Sequence, residues 1–190
     1  LALGMTVFGF GGIFTVFTYI VPILTSEAGL GEDAISLVLV LFGLGATAGT
    51  LLGGRLADWK LMPALIIALL VLCAFFVAFA AAMHVPGLAV AGVFLIGLIG
   101  FVGGPGLQAR SVQQAKDAPL LVSTLNQSAF NLGNAGGAWI GATLLTHGAS
   151  YPILSRAAAG VTAVGLGLTV LSLRMERRAA VGEAGYVASA

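Results

Sequence analysis

Long apolar runs separated by short polar breaks dominate the chain. Six runs stand out: Leu3 to Leu24, Ala34 to Gly54, Leu61 to Met83, Leu88 to Leu107, Leu120 to Thr146 and Ser155 to Leu173. Each is close to the ~20 residues that a helix needs to cross the hydrocarbon of a bilayer. The breaks hold the polar and helix-breaking residues: Thr25 to Asp33, Arg55 to Lys60, His84 to Gly87, Gln108 to Pro119 and His147 to Leu154. Inside lipid every backbone group must be paired within its own segment, so the runs predict helices. The two-residue alternation of a transmembrane barrel is absent.

Composition sharpens this picture. Hydrophobic types make up 59% of the 190 residues and charged types 8%, against about 25% charged in soluble domains. That excludes an ordinary soluble enzyme, a nucleic-acid-binding domain and a disordered chain. The single cysteine excludes a disulfide framework and a cysteine-based metal site. With six crossings, Arg55, Lys60, Arg110, Lys116, Arg174, Arg177 and Arg178 fall on one side and only Arg156 on the other. Seven cations against one mark that side as cytoplasmic. Both ends then lie in the cytoplasm, and the acidic loop with Glu27, Glu32 and Asp33 faces out. The first run starts almost at residue 1, so the chain reads as a piece of a longer protein. Residues 1–175 read as a membrane bundle, and 176–190 as an unpatterned, disordered cytoplasmic tail.

Polar residues within the runs are the candidate chemistry. Thr15, Thr18, Tyr19 and Pro22 share one face of the first run. Pro22 has no N–H for the carbonyl of Thr18. In the fifth run Ser123, Gln127, Asn131 and Asn134 form a stripe, with Asn126 beside it. Four amides in one membrane helix are costly against lipid and should face protein or water. No Asp, Glu, Lys, Arg or His lies in the middle of a run. His84 and His147 sit at outer ends, and Cys73 and Trp139 read as packing residues. Glycines at intervals of four (Gly45, Gly49 and Gly53; Gly133, Gly137 and Gly141) predict close helix contacts.

Two motif matches fail on context. Gly43, Gly45 and Ala48 fit a dinucleotide-binding pattern but follow no strand, and the acceptor sequence at Asn126 is buried in a run. No hydrolase elbow or zinc-protease pattern occurs, so the chain does not read as an enzyme, and no cofactor or metal is implied.

The loop Gly53-Gly54-Arg55-Leu56-Ala57-Asp58-Trp59-Lys60 resembles the G-x-L-A-D-R-x-G-R-[RK] signature of the major facilitator superfamily. Gly54, Leu56, Ala57 and Asp58 fit; Trp59 replaces a basic residue and the later glycine is missing. Such a degenerate copy is typical of the second half of these proteins. The segments Phe17-Thr18-Tyr19-Ile20 with Pro22, and Asn126 to Asn134 followed by Gly137-Ala138-Trp139, resemble the drug/proton antiporter branch. Within it they are most similar to arabinose-efflux-permease-like and chloramphenicol-efflux-like carriers.

The resemblance implies six helices built as two inverted three-helix repeats, the C-terminal half of a twelve-helix transporter in the inner membrane. It implies efflux of a small organic solute by alternating access, with a proton as coupling ion and the other half of the same protein as partner. Thr15, Thr18, Tyr19, Gln127, Asn131 and Asn134 are the expected lining of the central path. Gly54, Arg55, Asp58 and Arg110 are the expected inner gate: Gly54 for close helix approach, Asp58 as a cap and ion-pair acceptor. Ser111, in the inner loop, is expected to be inert. A complete six-helix channel or carrier acting as a homo-oligomer is the alternative.

Overall fold

The computed structural model describes residues 1–115 and 118–189, with side chains to Arg178. Lys116, counted above among the inner cations, lies outside them. The described chain is helical throughout: α1 (Ala2–Phe17), α2 (Ile20–Ser26), α3 (Glu32–Ala82), α4 (Pro86–Gln113), α5 (Pro119–Thr146) and α6 (Tyr151–Ser189).

The expectation of six separate spans is met in part. Among the described residues four stretches are long and apolar enough to cross a membrane: Ala2–Ser26, Glu32–Ala82, Pro86–Gln113 and Tyr151–Arg178. α5 has the length, at 28 residues, but its amides and glycines dilute its apolar character. The second and third runs share α3, whose 51 residues would extend about 76 Å if straight, at ~1.5 Å per residue. It is not straight. Lys60 has φ −152° and ψ 87°, outside the helical region, and divides α3 into arms 32–59 and 61–82.

Contacts fix the direction of each segment. Gly45 lies against Phe94, Gly49 against Leu98 and Gly53 against Val102, so the first arm runs parallel to α4. Leu65 meets Gly106 and Phe79 meets Gly92, so the second arm runs antiparallel to α4. Gly133 meets Val7 and Gly137 meets Gly11, making α5 parallel to α1. Gly4 meets Leu168 and Gly12 meets Thr162, making α6 antiparallel to α1. The α1–α2 unit, the two arms of α3, α4, α5 and α6 therefore alternate in direction. One end gathers Arg110, Ser172 and Glu176 with the start of α1. The other holds a contact between His84 Nδ1 and Glu27 Oε2 at 2.7 Å.

Local chemistry explains the breaks. Pro22 cannot donate to Thr18; α1 stops at Phe17, and the amide of Tyr19 bonds the carbonyl of Val16 instead. Pro86 and Pro119 begin α4 and α5, where a missing N–H costs nothing. Gly29 (φ 65°) and Gly148 (φ 80°) end α2 and α5 in the left-handed conformation that side chains resist. The core joins Met5, Ile13, Phe76, Phe79 and Ile96, all essentially inaccessible.

Two boundaries differ from expectation. α4 continues to Gln113, so Arg110 and Ser111 are helical rather than in a loop. α6 continues helical to Ser189 through residues expected to be unpatterned; Ala, Glu and Arg there are strong helix formers.

Candidate functional site

α5 is the most polar helix, and its two sides differ. Asn126, Ala129, Gly133, Gly137 and Gly141 are buried against α1. Every fourth residue returns to nearly the same face, and absent side chains let backbones approach. A Cβ on Gly137 would strike the carbonyl of Gly11, and one on Gly133 would lie 2.5 Å from that of Val7. Asn126, 6% exposed, is the hub of a polar cluster. Its Oδ1 accepts from Thr6 Oγ1 at 2.7 Å and from Ser111 Oγ at 2.9 Å, and its Nδ2 donates to Gln108 Oε1. Ser111 is thus a buried partner of α5, not an inert loop residue. The hub was missed because a lone amide beside a stripe carries no sequence mark of its partners.

A face of α5 about 100° round from that contact carries the stripe. Gln127 and Asn131 are exposed and Asn134 is half-buried. The Oδ1 of Asn134 is buried with no hydrogen-bond partner among the described residues. Trp139, expected to pack, is 69% exposed on this helix.

The α1 residues divide. Thr15 is inaccessible, and its hydroxyl donates to Gly11 O at 2.8 Å. It belongs to the α1–α5 contact. Thr18 is exposed and its hydroxyl bonds Phe14 O at 2.7 Å. Tyr19 is half-buried, and its OH donates to Ala138 O at 2.7 Å, tying the helix break to α5.

The residues expected at the inner gate are not brought together. Arg55 and Asp58 are exposed and form no ion pair among the described residues. Among the described residues nothing approaches Gly54 closely: a Cβ there would meet nothing within 4 Å. Gly53, about 100° round the helix, makes the contact instead, with the backbone of Val102. Arg110 is 4% exposed; its guanidinium donates to Ser172 Oγ at 2.8 Å and pairs with Glu176. Burial with both partners fastens α4 to α6.

An open cleft of about 370 Å³ lies between α1, the first arm of α3, α4 and α5. Thr6, Phe10, Phe101, Gln108, Asn126, Gln127 and Phe130 contribute to it. Of the expected path residues, Gln127 alone lines it.

The chain is 32% identical over 174 residues to an uncharacterized MFS-type transporter, YfhI, of Bacillus subtilis, covering 92% of this chain and 44% of that protein. It is 32% identical over 179 residues to the putative transporter AraJ of Escherichia coli, covering 92% and 45%. It is 36% identical over 134 residues to a chloramphenicol resistance protein of Streptomyces lividans, covering 70% and 34%. The chain spans less than half the length of these relatives. No family model matches the chain. No solved structure matches it.

Proposed function

The chain belongs to the major facilitator superfamily, and on that premise we propose that it is the C-terminal half of a secondary active transporter. The transporter exports a small organic solute, coupled to protons, from the cytoplasm across the inner membrane by alternating access. The observation that carries this reading is the open side of α5. Gln127 and Asn131 project there, with the half-buried Asn134 beside them. Lipid would leave these amides unpaired at a cost of roughly 1–3 kcal/mol each. A water-filled path closed by another half of the protein satisfies them.

The contact pattern supports two inverted repeats, namely α1 with the two arms of α3, and α4 with α5 and α6. The first arm packs parallel to α4 through Gly45, Gly49 and Gly53; α5 packs parallel to α1 through Gly133, Gly137 and Gly141. Exchanging the repeats maps one contact onto the other while reversing direction, which is the symmetry of alternating access. Gln127, Asn131 and Asn134 line the path, with Thr18 and Tyr19 at its outer bend and Thr15 backing the wall. Gly54, Arg55 and Asp58 meet their gate partners on the other half, while Arg110 braces the same inner end. The clustering of Arg55, Arg110, Arg174, Arg177 and Arg178 at the end shared by the termini supports their cytoplasmic placement.

Two measurements test this. In proteoliposomes of the full-length protein under a pH gradient, Asn131→Leu and Gln127→Leu should raise half-saturation about ten- to a hundredfold, the equivalent of roughly 1–3 kcal/mol. Unchanged values with reduced thermal stability would return the stripe to helix packing. In intact cells, on a Cys73→Ala background, an impermeant thiol reagent should label a cysteine at Gly31 and spare one at Gln113. The reverse pattern inverts the topology. Robust transport by the 190-residue chain alone would establish the homo-oligomer.

A further inference from the structure

We propose that the groove walled by the two arms of α3 and floored by α4 holds one acyl chain of an anionic phospholipid, with the headgroup phosphate on Lys60. The site needs only a bundle lying in a bilayer and is independent of what the transporter carries.

The two arms of α3 part at Lys60 and lean on the same helix. Gly53 packs on the backbone of Val102, and Leu65 packs on Gly106. Between the arms an apolar groove of about 390 Å³ remains. Leu52 and Leu56 form one wall, Ile67 and Val71 the other, and Leu98 and Val102 the floor. From Leu61 to Val71 the second arm rises about 15 Å, at ~1.5 Å per residue. One leaflet of hydrocarbon is about 15 Å deep, half of ~30 Å. The groove thus has the length of a single leaflet.

The mouth of the groove has a different chemistry. Trp59 and Lys60 border it. Trp59 is 75% exposed, and the Lys60 ammonium lies 5.1 Å from the centroid of its ring. Tryptophan favours the depth where headgroups meet hydrocarbon, and the face of its ring holds the cation at that depth. An ammonium on a flexible stem has three N–H donors and meets a phosphate from any side. A free phosphate would use Lys60 alone. A lipid uses the cation and the apolar walls together.

The groove faces away from the surfaces proposed to meet the other half of the transporter. Leu52 and Leu56 each lie two residues from Gly54, about 160° round the helix from it. The lining comes from α3 and α4 alone, whereas the polar stripe lies on α5. Beside the groove the second arm exposes Ile67, Leu70 and Val71, a face suited to acyl chains. Headgroup charge decides between lipids. A choline or ethanolamine lipid carries its own cation next to the phosphate, which Lys60 repels, so an anionic headgroup is favoured.

The test is lipid retention by the full-length protein in native mass spectrometry. The protein is titrated with dioleoylphosphatidylglycerol or dioleoylphosphatidylcholine, which share chains and differ in headgroup. Lys60→Gln should raise the half-saturation of one bound phosphatidylglycerol about fivefold, the equivalent of ~1 kcal/mol for one cation at a membrane surface. Retention of phosphatidylcholine should not change, and Lys60→Arg should match the parent. Both variants alter an exposed side chain. Ala64→Phe fills the groove and should weaken both lipids about tenfold. Ile67→Ala lowers one wall at a position 60% exposed and should weaken both about threefold. That second groove variant keeps the site testable if the Phe variant folds poorly. Phosphatidylglycerol retention unchanged by Lys60→Gln would overturn the proposal. So would retention untouched by either groove variant, or displacement of the lipid by inorganic phosphate. A dimer that the groove variants dissociate would give the groove to a second copy and overturn it too. Solute transport is not read, so each of these outcomes leaves the transporter reading standing.

Discussion

Asn126 and Gln127 are neighbours on α5 and about 100° apart on its surface, yet they live in different solvents. Asn126 is enclosed, with two hydroxyl donors on its oxygen and Gln108 on its nitrogen. Gln127 stands exposed, one turn before the equally exposed Asn131. The side of α5 facing α1 is finished: glycine approach and a satisfied amide leave nothing open. The other side is unfinished, with Asn134 holding a buried oxygen that nothing meets. Amide content alone therefore does not identify a path. What distinguishes packing from function here is whether the described helices supply the partners.

The comparison can be broken most forcefully at the glycines. Gly137→Leu would drive a side chain into the carbonyl of Gly11. It should cost about 3 kcal/mol or more, seen as loss of folded full-length protein on size-exclusion chromatography. Gly136→Leu, where a Cβ meets nothing within 4 Å, should fold normally. Equal behaviour of the two variants would deny the α1–α5 contact. Asn126→Leu should come next. It strands the donor of Ser111, leaves Thr6 only the long bond to Ala2 O, and should cost roughly 1–3 kcal/mol, read as a lower thermal midpoint in detergent. Ser111→Ala removes one donor and leaves Asn126 with others, so its loss should be near the ~0.6 kcal/mol average for hydrogen bonds in membranes. Smallest is Asn134→Leu. No bond is broken and an unpaired oxygen is removed, so thermal stability should stay within about 0.5 kcal/mol of the parent. A large destabilisation there would place Asn134 on the finished side.

The bundle was largely legible in the sequence because the length of an apolar run is set by the membrane and needs no knowledge of neighbours. Lys60 and Tyr19 mark breaks close to a polar cluster and a proline, both visible signals. The end of α4 was not legible. A helix that outlasts the hydrocarbon carries polar residues such as Gln108, Arg110 and Ser111, and these read as a loop until Asn126 and Ser172 are seen beside them. Gly53 and Gly54 are adjacent in sequence, and one step decides which touches α4. Thr15 satisfies itself on Gly11, an outcome its spacing shares with a path-lining threonine. The ring of contacts joining Phe10, Phe14 and Phe17 to Phe42, Phe101 and Phe130 was invisible for a different reason. Phe10, Phe14 and Phe17 have the spacing of ordinary packing, and the residues that complete the ring come from three other segments.

The break at Lys60 has a consequence for how this region tolerates change. One residue with non-helical angles reverses the chain between the two arms of α3, so the turn holds no spare length. Added residues would form a longer loop on the polar surface, and doubling a loop costs only about 0.6 kcal/mol. Removing a residue is different. The second arm would be drawn up and rotated by about 100°, turning Leu65, Leu72, Phe76 and Phe79 away from the positions where they are now buried. The connection behaves as a ratchet in sequence space, open to insertion and closed to deletion.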